Sequence, residues 1–88
     1  MILAAIDIGS NAARLLIQEV SKNADGSILY TKLNLIRFPL RLGLDVFKTG
    51  IISEERKRMM LDAMQVYAIT MNMYNVSYFR ACATSAMR

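Results

Sequence analysis

The chain has 88 residues, of which 55% are hydrophobic, and it carries a formal net charge of +4 with one cysteine and no histidine. A chain of this length forms one small domain, which buries only about 60 to 65% of the surface that its unfolded form exposes. The single Cys82 excludes an internal disulfide and favours a reducing compartment, so we expect a cytoplasmic protein. The apolar start of the chain is interrupted by Asp7 and is too short for a signal peptide or a membrane span.

The first three predicted elements are strands. Residues 1–8 are apolar and rich in isoleucine, as is typical of a central strand. Residues 14–20 form a second predicted strand, and the Asp25-Gly26 pair indicates a hairpin that leads to a third strand at residues 28–38. Strict alternation in this third strand gives a half-buried element. It places Leu29, Thr31, Leu33 and Leu35 on one face and Tyr30, Lys32, Asn34 and Ile36 on the other.

A loop, a long helix and a fourth strand follow. Pro39 has no backbone N–H to pair with a neighbouring strand, so the third strand should end before it. Residues 39–52 are expected to connect the sheet to the helix. Ser53, followed by two glutamates, predicts the start of a helix over residues 53–74, and strand character returns at residues 76–83. One apolar stripe of the helix should pack on the sheet. It consists of Met60, Met64, Tyr67, Met71 and Tyr74.

The predicted fold class is therefore α/β, with the order β-β-β-α-β, a mixed sheet and one long helix. One helix covers one face of a sheet, whereas a first strand as apolar as residues 1–8 is typical of a sheet covered on both faces. We therefore expect an incomplete domain, and we interpret residues 1–88 as a portion of a larger one.

The sequence Asp-Ile-Gly-Ser-Asn at residues 7–11 is a candidate ligand site. A carboxylate at the end of a buried strand requires a cation or good donors, and magnesium is a suitable oxygen-seeking partner for Asp7. Gly9 permits a tight turn whose amides, with the side chains of Ser10 and Asn11, can point at a phosphate. An ordinary β-turn, in which Ser10 and Asn11 satisfy the local backbone, is equally compatible with these residues.

The second candidate is Ala-Thr-Ser-Ala-Met-Arg at residues 83–88. In open α/β sheets, ligands bind beyond the carboxyl ends of strands, where Thr84 and Ser85 could contact a phosphate. The residues alone favour a simpler interpretation, in which a hydroxyl caps a following helix and Arg88 is a surface cation.

Four motifs in chain order resemble the exopolyphosphatase and guanosine pentaphosphate phosphohydrolase (Ppx/GppA) family. Residues 6–17 are similar to the family's first phosphate-binding motif, Asp-[Ile/Leu/Val]-Gly-[Ser/Thr]-Asn. Leu-Arg-Leu-Gly at residues 40–43 resembles its Arg-Leu-Gly, and Gly-Ile-Ile-Ser-Glu-Glu-Arg at residues 50–56 resembles the start of its first long helix. Residues 81–88 are similar to its Ala-Thr-Ser-Ala-x-Arg. The resemblance extends over the entire chain.

This resemblance implies the N-terminal portion of an actin-like ATPase (ribonuclease H-like) domain. It also implies magnesium-dependent hydrolysis of terminal phosphoanhydride bonds in polyphosphate or guanosine pentaphosphate. Asp7 would correspond to the metal-associated carboxylate. The residues that would correspond to phosphate-binding or substrate-binding positions are Gly9, Ser10, Asn11, Arg14, Arg41, Thr84, Ser85 and Arg88.

The chain also departs from the family pattern. Leu44 stands where many members have an acidic residue, and the family's catalytic glutamate and second phosphate loop would lie beyond Arg88. We therefore assign no general base, and we expect this chain alone to be inactive. The alternative hypothesis is a phosphate-binding or self-associating module without catalysis, whose partner is a second copy or the remainder of a parent chain. Scattered lysines and arginines without an aromatic platform indicate no nucleic-acid partner.

Overall fold

A computed structural model describes residues 1–42 and 50–83 of the chain. Its elements are β1 (Ile2–Ile8), β2 (Ala13–Lys22), β3 (Ile28–Phe38), the helix α1 (Glu54–Met73) and β4 (Tyr78–Ala83). This order confirms the β-β-β-α-β prediction. Compared with the predicted bounds, β2 is longer at both ends and β4 begins two residues later. In the described part of the chain, no helix has the length and hydrophobicity needed to cross a membrane.

The four strands form one mixed sheet in the order β3-β2-β1-β4. β1 pairs antiparallel with β2 and parallel with β4, and β2 pairs antiparallel with β3. Three strands, β1, β3 and β4, therefore end on the same side of the sheet, where β2 begins. We call this side the carboxyl end of the sheet. It brings the residues after Ile8 close to those after Phe38, which the sequence separates by about 30 positions.

The helix packs on one face of the sheet through the predicted stripe. Tyr67 is completely buried in the core, together with apolar side chains from β1 and β2 such as Ile6, Leu15 and Ile17. The other members of the stripe are partly buried against this cluster. The Tyr67 ring also stacks on Phe38 of β3, with ring centroids 5.7 Å apart. The predicted contact between the helix and the sheet is thus confirmed.

Local hydrogen bonds define both ends of α1. The Ser53 hydroxyl accepts a hydrogen bond from the Arg56 amide (3.2 Å), as expected for an N-cap. At the other end, Asn75 has a φ of 55°, and the amides of Asn75 and Val76 donate to the carbonyls of Asn72 and Met71. This pair of bonds is a Schellman motif, in which asparagine tolerates the left-handed conformation.

The β2–β3 turn forms at the predicted Asp25-Gly26 pair. Gly26 has a φ of 90°, a conformation that glycine adopts without steric strain. The Asp25 carboxylate accepts hydrogen bonds from both the hydroxyl and the amide of Ser27, and these bonds lower the pKa of Asp25. The turn therefore contributes stability above the ordinary pKa of an aspartate, and loses that contribution as the pH falls through the lowered value.

The predicted alternation of β3 is wrong. Ile17 of β2 pairs with Asn34, and the next residue, Gln18, pairs with Lys32. Leu33 is therefore an extra residue of β3, a β-bulge without a partner on β2. Leu33 therefore packs against the core, whereas Leu35, which was assigned to the same face, is 47% exposed. A bulge exchanges the two faces of a strand for all residues on one side of it. Its position depends on how β3 pairs with β2, and the sequence of β3 alone does not show this pairing.

The sheet face opposite α1 is open in the described structure. It carries apolar side chains at Ala5, Leu16 and Leu35, which line a shallow groove together with Asp7 and Arg14. Tyr78 of β4 is also largely exposed. This face is the one that we expected the single helix to leave uncovered.

Removing the Tyr67 hydroxyl should destabilise the fold. The hydroxyl lies 2.9 Å from the Ala13 carbonyl oxygen and 3.2 Å from that of Ile36. Tyr67→Phe should lower the free energy of unfolding in urea by about 1 kcal/mol. The matched control Tyr30→Phe, at an exposed position on β3, should change it by less than about 0.5 kcal/mol. Equal effects of the two substitutions would contradict the role of the Tyr67 hydroxyl.

The same residue should make stability depend on alkaline pH. Burial raises the pKa of Tyr67 above its ordinary value of 10.0. Above that ordinary value the unfolded chain loses the phenolic proton first, so the free energy of unfolding should fall as the pH rises towards the raised pKa. Part of this decrease should disappear in Tyr67→Phe, which urea unfolding at several alkaline pH values would detect.

Candidate functional site

The β1–β2 hairpin lies at the carboxyl end of the sheet and has Ser10 and Asn11 at its tip. Gly9 and Ala12 face each other below the tip, and the Gly9 amide donates to the Ala12 carbonyl oxygen (2.8 Å). The Gly9 amide is therefore engaged within the turn, and the place of Gly9 in a phosphate-binding hairpin stays a prediction. Among the described residues, no acceptor engages the amides of Ser10 and Asn11, which remain available as donors to an anion.

No contact within the described residues requires a glycine at position 9. Its φ lies outside the left-handed region, and an added Cβ would meet the Ala12 carbonyl oxygen at an ordinary distance of 3.6 Å. The backbone alone would accept alanine here. A glycine at this position does, however, leave space beside the tip for close approach of a ligand to the backbone.

Asp7 and Arg14 form an exposed ion pair next to this hairpin. They are paired residues in the β1–β2 register, and a guanidinium nitrogen of Arg14 lies 3.4 Å from a carboxylate oxygen of Asp7. Both side chains are about half exposed, so the pair contributes little to stability in water. Either group can therefore exchange this partner for a ligand at small cost.

Arg37 is a basic residue at this site that the sequence analysis did not include. It pairs with Arg14 in the β2–β3 register, so the two guanidinium side chains start from adjacent positions on the open face. Opposite residues of an antiparallel pair have their Cβ atoms about 5 Å apart, and like charges placed there repel each other. The sequence does show a basic residue near the end of the predicted third strand. It does not show that this residue pairs with Arg14, because the pairing depends on the register after the bulge.

Arg41 joins the site through the backbone. Its amide donates to the Asn11 carbonyl oxygen (2.9 Å), which fixes the segment after β3 to the tip of the hairpin. Arg41 has a φ of 55°, an uncommon value for a residue with a side chain. The guanidinium of Arg56, in the first turn of α1, donates to the Leu40 carbonyl oxygen (3.0 Å) and holds the same segment from the other side.

The described residues fit a magnesium ion only if the ion is shared with a phosphate. Magnesium keeps several waters and is often held by one or two carboxylates together with substrate phosphates. Asp7 can supply one such carboxylate because its side chain is half exposed. In residues 1–42 and 50–83, no group of three or more histidine, cysteine, aspartate or glutamate side chains could hold a metal ion. An ion held entirely by the described residues is therefore not supported.

The structure brings together most of the residues predicted for this site. Asp7, the hairpin residues 9–11, Arg14 and Arg41 all lie at the carboxyl end of the sheet. The other predicted site residues, Thr84, Ser85 and Arg88, lie outside the described residues, as does Leu44. Their expected roles remain predictions.

Comparison with solved structures finds similar folds among Ppx/GppA proteins. The crystal structure of the Aquifex aeolicus member of the Ppx/GppA protein family matches the whole chain with a TM-score of 0.87 and 30% sequence identity. The resemblance to Ppx/GppA proteins is thus confirmed. An exopolyphosphatase from Cytophaga hutchinsonii matches the whole chain with a TM-score of 0.83 and 26% identity. An exopolyphosphatase-like protein matches 99% of the chain with a TM-score of 0.79 and 32% identity.

The chain spans only part of these Ppx/GppA structures. It covers 27% of the Aquifex aeolicus and Cytophaga hutchinsonii chains and 25% of the exopolyphosphatase-like chain. No protein-family sequence model matches this chain, and no curated protein sequence matches it. The mixed sheet with one helix therefore corresponds to part of the Ppx/GppA actin-like fold, as the resemblance implied.

Proposed function

We propose that this chain forms the first phosphate-binding part of a Ppx/GppA phosphohydrolase, which hydrolyses terminal phosphoanhydride bonds in polyphosphate or guanosine pentaphosphate with magnesium. The observation that carries the proposal is the convergence of Asp7, the Ser10-Asn11 tip and Arg14 at the carboxyl end of the sheet. The known structures with similar fold and sequence include an exopolyphosphatase, which supports this choice of reaction.

The residues have complementary roles in this proposal. The amides of Ser10 and Asn11 donate hydrogen bonds to oxygens of the terminal phosphate, and Arg14 neutralises part of its charge. Asp7 holds the magnesium ion jointly with the phosphate. When bound, the metal stabilises negative charge that develops on the phosphate oxygens.

We assign no catalytic residue to this chain. A general base must lie within reach of the attacking water, and in the described ranges 1–42 and 50–83 Asp7 is the acidic side chain beside the hairpin. Its proposed role with magnesium leaves it unsuitable as the base. The acidic residues Glu54, Glu55 and Asp62 belong to α1, on the opposite face of the sheet. We therefore expect this chain to bind phosphate but not to hydrolyse it.

The open sheet face favours a second candidate function, a self-associating module without catalysis. Leu35 and Tyr78 are exposed on this face, and a second copy could cover them. This candidate requires no reaction at Asp7. It differs from the first in what it predicts for the oligomeric state.

Substituting Asp7 should alter the effect of magnesium on phosphate binding. In calorimetric titrations with tripolyphosphate, Asp7→Asn should bind at least as tightly as the original chain without metal, because a negative charge is removed and Arg14 is released. Added magnesium should raise the affinity of the original chain about tenfold more than that of Asp7→Asn. Asp62→Asn on α1 is the matched control and should respond to magnesium as the original chain does.

Two outcomes would contradict the role of Asp7 in this titration. One is an equal response to magnesium in Asp7→Asn and the original chain. The other is release of orthophosphate from polyphosphate by this chain at a rate that Asp7→Asn does not change.

Gly9→Ala should separate folding from binding. Alanine fits the described backbone, and it restricts the unfolded chain, so the free energy of unfolding should stay the same or rise by about 0.5 kcal/mol. Tripolyphosphate affinity should nevertheless fall, since the methyl group occupies the space beside the hairpin tip. Urea unfolding and calorimetry on the same sample measure both quantities. Unchanged affinity would show that the phosphate does not approach this backbone.

The self-association candidate predicts a dimer whose formation depends on the open face. Light scattering over a series of protein concentrations should then detect a dimer that Leu35→Glu dissociates. The control Leu61→Glu, at an exposed position on α1, should leave the dimer intact. A chain that is cooperatively folded and monomeric at every concentration would exclude this candidate.

A further inference from the structure

The outer edge of β3 has no partner strand within residues 1–42 and 50–83. β3 is the last strand in the order β3-β2-β1-β4 and is 11 residues long. Edge strands present unpaired backbone donors and acceptors, and a long apolar edge is a template for pairing with another chain. The large apolar side chains of β3 that are exposed, by 47% to 60%, are Ile28, Leu29, Tyr30 and Leu35.

The pairing of β2 determines which backbone groups β3 presents at this edge. The Val20 amide donates to the Met1 carbonyl oxygen (2.7 Å), and the Met1 nitrogen donates to that of Val20 (3.1 Å). The backbone groups of Val20 therefore point towards β1. Tyr30 lies opposite Val20 on β3, and bonded and non-bonded pairs alternate in antiparallel strands. The amide and carbonyl of Tyr30 therefore point away from β2, towards the outer edge.

Leu35 presents its backbone groups to the same edge. It lies opposite Leu16, which is an even number of residues from Val20 on β2, so the same alternation applies. The Leu35 amide donates to the side-chain oxygen of Asn34 (2.8 Å) and not to β2, which agrees with this direction. Leu35 and Tyr30 thus both offer an amide and a carbonyl to a further strand.

The bulge at Leu33 determines what kind of strand fits this edge. The outward-pointing residues include Ile28 and Tyr30 before the bulge, and Leu35 and Arg37 after it. A regular strand alternates without interruption, so it would match the edge on one side of the bulge and be out of step on the other. A second copy of β3 contains the same bulge. In antiparallel orientation, its residues after the bulge meet those before the bulge of the first copy, and both halves match.

We propose that β3 pairs antiparallel with β3 of a second copy, which joins the two sheets into one continuous sheet. Tyr30 then lies opposite the partner's Leu35, and Ile28 lies opposite the partner's Arg37. Each pair recurs across a two-fold axis, as expected for a symmetric dimer. The paired residues exchange backbone hydrogen bonds, and the aromatic–aliphatic pairs add contact between exposed side chains. This interface is separate from the open sheet face and requires no phosphate.

The charges of β3 permit this register but weaken the pairing. Arg37 meets an apolar residue, and Lys32 lies opposite the partner's Leu33, so no two like charges are directly opposite. The two Lys32 side chains are diagonal neighbours across the axis, and lysines on an edge oppose pairing between strands. We therefore expect a dimer that dissociates on dilution.

Amide hydrogen exchange of this chain at several concentrations tests the proposal, with sedimentation velocity to measure the dimer. As the dimer forms, exchange of the outward amides of Ile28, Tyr30 and Arg37 should slow about tenfold. The amide of Thr31 points towards β2, so it is the internal control and should be protected at every concentration. A dimer whose outward amides exchange as fast as those of the monomer would overturn the proposal, as would a chain that stays monomeric throughout.

Removing the central charge should strengthen the dimer. Lys32→Gln removes the repulsion across the axis and should lower the dimer Kd about threefold. The control Lys57→Gln removes the same charge on α1 and should leave the Kd unchanged. A gain in affinity cannot result from unfolding, so an unchanged Kd in Lys32→Gln counts against this register.

Two further variants distinguish the β3 edge from the open face. Tyr30→Pro removes an outward N–H and no bond to β2, and proline is tolerated where the N–H of an edge strand faces solvent. It should raise the dimer Kd about tenfold or more. Tyr78→Glu lies on β4, at the opposite edge of the sheet, and should leave the dimer intact. The reverse result, with dissociation only by Tyr78→Glu, would assign the contact to the open face and reject pairing through β3.

Discussion

The geometry of the site depends on the buried hydroxyl of Tyr67. This hydroxyl reaches the backbone carbonyls of Ala13 on β2 and Ile36 on β3, and each of these residues directly precedes an arginine of the site. The Tyr67 ring is completely buried and stacks on Phe38, so α1 fixes both strands just below the carboxyl end of the sheet. Arg14 and Arg37 repel each other, and the contacts of Tyr67 keep the backbones of these two arginines side by side.

The electrostatics of this arrangement favour the proposed phosphate ligand over a metal ion alone. Three arginines, Arg14, Arg37 and Arg41, lie around one hairpin tip, whereas in residues 1–42 and 50–83 the acidic residue beside it is Asp7, which pairs with Arg14. The excess of positive charge raises the local concentration of anions. It also opposes binding of a free cation at Asp7. A magnesium ion would therefore bind more favourably as a complex with phosphate than by itself.

Short-range sequence patterns predicted much of this structure. These patterns depend only on residues close together in the sequence, so the structure that they form can be predicted from a short segment. They are the helix cap at Ser53, the turn at Asp25-Gly26 and the apolar stripe around Tyr67. The structural similarity to Ppx/GppA proteins supports the fold that the four motifs implied.

The errors arose where the structure depends on pairing between strands. The bulge at Leu33 follows from the register with β2, and it reverses the face on which later side chains lie. The same register places Arg37 beside Arg14, which explains why the residue was missed. The sequence also could not show which amides of the hairpin stay available, since a motif gives the residue types but not the direction of each amide, and the Gly9 amide is engaged by the bond to Ala12 that closes the hairpin.

The open sheet face includes part of the proposed phosphate site. Asp7, Arg14 and Arg37 project from the face that α1 leaves uncovered, where water weakens each interaction with a phosphate. A charge pair at 4 Å gains about 1 kcal/mol in bulk water and about 4 kcal/mol at the lower effective dielectric near a protein surface. A partner that covered the apolar part of this face without blocking the tip would exclude water and strengthen the same contacts. By thermodynamic linkage, bound phosphate would in turn strengthen association with that partner. The proposed phosphate binding and the candidate association through the open face are therefore compatible with each other.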